Sequence, residues 1–130
     1  MKPIISNTDY RAIYSLIQDL PASQRTKEMG QMQNEIESAT KVPDGGLEAG
    51  IIRINSYFEV MDLDSGKTFQ LRLVMPKMAN LAEQKISILS PLGVALIGFG
   101  EGMLVDWVLP GGPKRLKILK VDNSPQVSKF

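Results

Sequence analysis

Two kinds of hydrophobic periodicity share this chain, and one gives way to the other near residues 42–50. In the first stretch Tyr10, Ile13, Leu16, Ile17 and Leu20 recur at three- and four-residue intervals, the spacing that lines one face of an α-helix. Ser6, Asn7 and Thr8 offer side-chain oxygens to cap its first amides, and Pro21 stops the pattern, so a helix is predicted over 8–20. After a short Pro21-Ala22-Ser23 break, Met29, Met32, Ile36 and Ala39 repeat at the same spacing and predict a second helix through Thr40. The tight connection makes the two helices antiparallel. Helices this short are marginal in water, so their apolar stripes must pack on each other and on the rest of the chain or a partner.

Val42-Pro43-Asp44-Gly45-Gly46 then breaks any helix, and the pattern turns to strands. Residues 51–63 are rich in β-branched and aromatic types, and Asp64-Ser65-Gly66-Lys67 supplies turn chemistry. Phe69, Leu71, Leu73 and Met75 alternate with Gln70, Arg72 and Val74, so an antiparallel hairpin with one apolar face is predicted. Beyond a loop holding Pro76 and Asn80, a short strand is expected over 85–89, and Ser90-Pro91 places a capping hydroxyl before a first-turn proline. A short buried helix over 92–97 should end at Gly98, and strands over 103–109 and 114–121 flank a tight reversal at Pro110-Gly111-Gly112-Pro113. The tail, 122–130, is polar and carries no packing signal. The fold class is therefore α+β: a short N-terminal antiparallel helical hairpin over 1–45, then a domain over 46–130 with an antiparallel β-sheet and one short helix.

Composition narrows the chemistry. At 130 residues, 43% of them hydrophobic, the chain can bury one core and carry one small appendage. It has no histidine and no cysteine, which excludes His-based triads, thiolate nucleophiles, disulfides and the usual zinc sites. Fifteen basic against fourteen acidic residues leave a formal charge of +1, too small to drive autonomous binding to nucleic acid. No secretory signal pattern and no membrane-spanning apolar run is present, so a cytoplasmic protein is expected.

The order of motifs after residue 85 carries a resemblance. Ile86-Ser87-Ile88-Leu89-Ser90-Pro91-Leu92-Gly93, then Ala95-Leu96-Ile97-Gly98, Asp106-Trp107, Pro110-Gly111-Gly112 and Leu116-Lys117-Ile118-Leu119-Lys120-Val121, resembles the C-terminal domain of GreA and GreB, bacterial transcription elongation factors. The resemblance implies an FKBP-like domain, a bent antiparallel sheet wrapped on a short helix, that anchors the factor at the rim of the RNA polymerase secondary channel. In Gre factors a long N-terminal coiled coil enters that channel, and acidic residues at its tip help hold the second magnesium ion for transcript cleavage. Here the first helix, of about 13 residues, reaches only about 20 Å, too short for the tip to arrive at the active centre. A short coiled-coil hairpin on such a domain is similar to the Rnk family, the regulators of nucleoside diphosphate kinase.

The resemblance therefore implies a regulator that binds RNA polymerase through Leu89, Ser90, Pro91, Leu92 and Gly93, acts by occupancy, competes with Gre factors and cleaves no transcript. It is expected not to be an enzyme and to need no cofactor or metal. A monomer without sequence-specific DNA binding and without membrane contact is preferred. Where Gre factors often carry an acidic residue before the Ser-Pro pair, this chain has Leu89, which makes the contact more apolar. A capping serine before a first-turn proline is equally a sufficient structural reason for that pair. Asp19 and Glu28 are the hairpin-tip candidates, but Arg25 and Lys27 lie between them and oppose a cation. Pro110-Gly111-Gly112 lacks the lysine and hydroxyl of a phosphate-binding loop and is read as a strand reversal. Trp107 alternates with Val105 and Leu109 and is placed in the core, as Met29 and Met32 are in the hairpin. The alternative function is an FKBP-type peptidyl-prolyl isomerase. Its aromatic pocket would have to be drawn from Tyr57, Phe58, Phe69, Phe99 and Trp107, several of which the alternation assigns to the core.

Overall fold

The first helix starts at the serine that its capping signals favour. In the computed structural model, which describes residues 3–109 and 111–123 apart from the side chains of Glu28 and of residues 107–109, α1 spans Asn7–Gln18. Ser6 is its cap: the hydroxyl accepts from the Asp9 amide at 3.1 Å. The helix stops two residues before the predicted end, because Pro21 disfavours helical geometry in the residue that precedes it. α2 spans Lys27–Ser38 and begins two residues before the first apolar position of its pattern, Met29, since the Thr26 hydroxyl accepts from the Met29 amide at 3.2 Å and caps the helix there. It ends at Ala39, whose ψ of 154° is extended.

Thr40 belongs to a strand, not to the helix. A parallel ribbon joins β1 (Ile4–Ser6) to β2 (Thr40–Val42), and it was not anticipated because three-residue strands carry no readable period. This ribbon also ties the hairpin to the rest of the chain: the Ile4 amide donates to the Gly98 carbonyl at 2.8 Å, and a side chain at Gly98 (φ +85°) would collide with Pro3. Ile13, Ile17, Met32 and Ile36 are sealed between the two helices, each at most 1% exposed. They are continuous with Ile52, Leu96 and Ile97, so one core runs from the hairpin into the β region. Each of these side chains contributes about 2 kcal/mol by leaving water.

The sheet holds β3 (Tyr57–Asp62), β4 (Thr68–Val74), β5 (Lys85–Ser87), β6 (Leu104–Leu109) and β7 (Gly112–Asp122), in the order β5-β4-β3-β7-β6. Its inner face, formed by Phe58, Val60, Leu73, Ile86, Leu116 and Ile118, wraps α3 (Pro91–Leu96), which agrees with the expected α+β class. Four of the five strands pair antiparallel, but β5 lies parallel to β4 because residues 75–84 carry the chain back to the level of Arg72, so that Lys85–Ser87 run beside Arg72–Val74 in the same direction. The expected strand over 51–63 is interrupted. Ile52 exchanges hydrogen bonds with 98–99 outside the main sheet, and Asn55, at φ +77°, turns the chain before β3 begins. Likewise the strand expected over 85–89 ends at Ser87, where the Ser90 amide folds back on its carbonyl at 3.0 Å.

The alternation places Phe69 with Leu71 and Leu73 on one apolar face, yet exposure falls from 45% at Phe69 to none at Leu73, because β4 enters the core only at its far end. The last reversal is tighter than predicted: Leu109 pairs with Gly112, whose φ of +115° suits glycine, so β7 begins before residue 114. Pro110, the side chain of Trp107 and the tail from residue 124 lie outside the described residues. No helix among the described residues is long and apolar enough to cross a membrane.

A candidate docking surface

The loop that joins β5 to α3 is closed by hydroxyl groups that point inward. The Ser87 hydroxyl accepts from the Leu89 amide at 2.9 Å, which bends the chain out of the strand. Ser90 then works in both directions: its hydroxyl donates to the Ser87 carbonyl at 2.7 Å and accepts from the Gly93 amide at 3.1 Å, as the cap of α3. Pro91 sits in the first helical turn, where its missing amide has no bond to lose. A β-carbon on Gly93 would stand 2.4 Å from the Ser87 carbonyl oxygen and 3.1 Å from the Ile88 α-carbon, so only glycine lets α3 rest this closely on the strand. Leu89, Pro91 and Leu92 are left half-buried, with Leu89 and Leu92 packed partly against the core.

Of the five predicted docking residues, Ser90 and Gly93 thus have complete structural employment, while Leu89, Pro91 and Leu92 offer a small apolar contact. The connection before β5 offers more. Met78 is 54% exposed and Leu81 81% exposed, and both stand beside the same edge of the sheet. Neither belongs to a helical or alternating pattern, so nothing in the sequence marks them.

The hairpin tip lies at the far end of α1 and α2. Asp19 is exposed at the C-terminal cap of α1, and Glu28 stands in the first turn of α2 with its side chain outside the described residues. Arg25, between them in sequence, donates to the Leu20 carbonyl at 3.3 Å. With 12 residues in each helix, the hairpin extends about 18 Å. Among the described residues no group of three or more carboxylates is placed to hold a metal ion.

At its other end the hairpin is fastened by a carboxylate that the sequence did not single out. Asp9, 5% exposed, accepts from the Ile54 amide at 3.0 Å and lies 3.9 Å from the Arg53 guanidinium. Burial holds its pKa above the ordinary aspartate value, partly offset by the Ile54 amide and Arg53. Thr8 adds a second tie to Asp44, whose carboxyl is held below its ordinary pKa by the Thr8 hydroxyl and amide.

Residues 47–123 match the family described as "Transcription elongation factor, GreA/GreB, C-term". GreA of Ralstonia nicotianae is 35% identical over 92 residues, covering 70% of this chain and 58% of that protein. The chain thus spans somewhat over half the length of the GreA relatives it matches. The regulator of nucleoside diphosphate kinase of Escherichia coli is 25% identical over 126 residues, 96% of this chain and 92% of its own length. A solved GreA/GreB elongation factor from Nitrosomonas europaea superposes with a TM-score of 0.75 at 29% identity, covering 94% of this chain and 98% of that one.

Proposed function

The chain belongs to the GreA/GreB family of transcription elongation factors, and on that premise we propose that it is a regulator that binds RNA polymerase, near the secondary channel, and acts by occupying that site. The observation that carries this reading is the pairing of a GreA/GreB C-terminal domain with a hairpin of two 12-residue helices. A hairpin about 18 Å long is too short to deliver acidic side chains to a remote active centre, and Arg25 tied across the tip opposes a bound cation. Competition with longer Gre factors follows, without transcript cleavage and without catalysis by this chain itself. The full-length likeness to the regulator of nucleoside diphosphate kinase supports the same division of parts.

Docking uses the face that carries residues 89–93. Leu89, Pro91 and Leu92 make contact, while Ser90 and Gly93 keep the loop in shape. The protein works in the cytoplasm, where the polymerase is. Binding of the full chain to core RNA polymerase tests the reading, repeated with excess GreA and followed by a transcript-cleavage assay. Saturable binding that GreA displaces, with no stimulated cleavage, is the expected result. No binding at micromolar concentration would overturn it, and stimulated cleavage would overturn the argument from hairpin length.

A further inference from the structure

Residues 75–84 spend an unusual number of hydrogen bonds on keeping two apolar side chains in water. Two 3-10 turns, Pro76–Met78 and Leu81–Glu83, are joined through Asn80. The Asn80 amide donates to the Lys85 carbonyl at 2.9 Å, the Lys85 amide returns a bond to Asn80 at 3.0 Å, and the Asn80 side chain accepts from the Ala82 amide at 3.1 Å. Gln84 closes the second turn on the Leu81 carbonyl from a left-handed conformation, φ +61°, that glutamine adopts only at a cost of about 1 kcal/mol. The result is a rigid loop with Leu81 at 81% and Met78 at 54% exposure. Exposed apolar groups on a hydrogen-bonded loop bind well, because little backbone freedom remains to be lost on association.

The charges around the loop are mainly basic. Arg72 and Lys85 line a recess of about 280 Å³ beside it with Tyr57 and Glu83, and Glu83 is engaged by Lys85 at 2.8 Å. Lys77, on the first turn, has no carboxylate partner among the described residues. The complement of this surface is therefore apolar at its centre and acidic at its margin. It is also continuous with the face proposed for docking. Asn80 is pinned to the first residue of β5 and Ser90 to the last, and a three-residue strand spans about 10 Å, well inside an interface of ordinary size.

We propose that Met78 and Leu81 are the principal anchors of this protein on RNA polymerase, seated in an apolar groove whose margin carries carboxylates facing Lys77 and Arg72. This rests on the polymerase-binding reading above and says which side chains supply the affinity. Both anchors protrude from the fold, so Met78→Ser with Leu81→Ser leaves the melting temperature within about 2 °C of the parent. Titration of the full chain against core RNA polymerase should then show affinity about tenfold weaker or worse for that double variant. Lys77→Glu should weaken binding more at low salt than at high salt. Unchanged affinity of the double variant, with the parent binding normally, overturns the anchors and leaves the polymerase reading standing. Failure of the parent itself to bind removes both. Sedimentation of the free proteins covers the remaining occupant: a parent dimer that the double variant abolishes would show that a second copy of this chain covers the patch, and would overturn the proposal.

Discussion

The two loops that flank β5 are built to opposite specifications. The one after the strand turns its hydroxyls inward, seats Gly93 against the Ser87 carbonyl and exposes no large apolar side chain fully. The one before it uses a comparable set of hydrogen bonds to hold Leu81 and Met78 outward. The first contains the Ser-Pro-Leu-Gly string by which the family resemblance is seen; the second contains no motif. A motif is legible where close packing leaves few acceptable residues, whereas a contact surface requires only some apolar side chain at about the right place. In this protein the residues easiest to recognise are for that reason not the most exposed ones.

Substitutions can break that contrast, and the largest effect belongs to the loop after β5. Gly93→Ala should cost about 3 kcal/mol in urea unfolding, because its β-carbon meets backbone that cannot move aside. A tolerated alanine would mean that α3 can lift away and that the loop is not the rigid element described. Ser90→Ala, which removes the cap of α3, should lower stability by about 1 kcal/mol and leave polymerase affinity within twofold of the parent. Lost affinity at unchanged stability would instead return the hydroxyl to the interface. On the other side of β5, Gln84→Gly relieves the left-handed conformation and should raise stability by about 0.5 kcal/mol, after allowance for the greater freedom of unfolded glycine. Smallest of all, Leu81→Ser should change the free energy of unfolding by less than about 0.5 kcal/mol. A larger loss would show that Leu81 packs on the fold and is not held out for a partner.

The periodic elements were readable because each repeats a simple rule: Ile13, Ile17, Met32 and Ile36 mark buried helix faces, and β3 and β7 alternate well enough to locate the sheet. The misses fall where a tertiary contact overrides local pattern. Ile51 and Ile52 look like the start of a long strand but pair with residues 98–100, and Asp9 looks like a solvated first-turn acid but receives the Ile54 amide across 45 positions. Of the candidate site, Ser90, Pro91 and Gly93 were found through their motif, while Met78 and Leu81 lacked any local signal.

By itself the sequence determined the helical hairpin, the sheet region with its one short helix, the absence of histidine and cysteine chemistry, and the family resemblance. All of these depend on residue type at short or regular spacing. Only the tertiary structure decided that β5 runs parallel to β4, that Asp9 and the β1–β2 ribbon fasten the hairpin to the domain, and which apolar side chains stay in water. Those properties depend on what distant segments bring to the same place, and a side chain's exposure is set by the neighbours that fail to arrive as much as by its own chemistry.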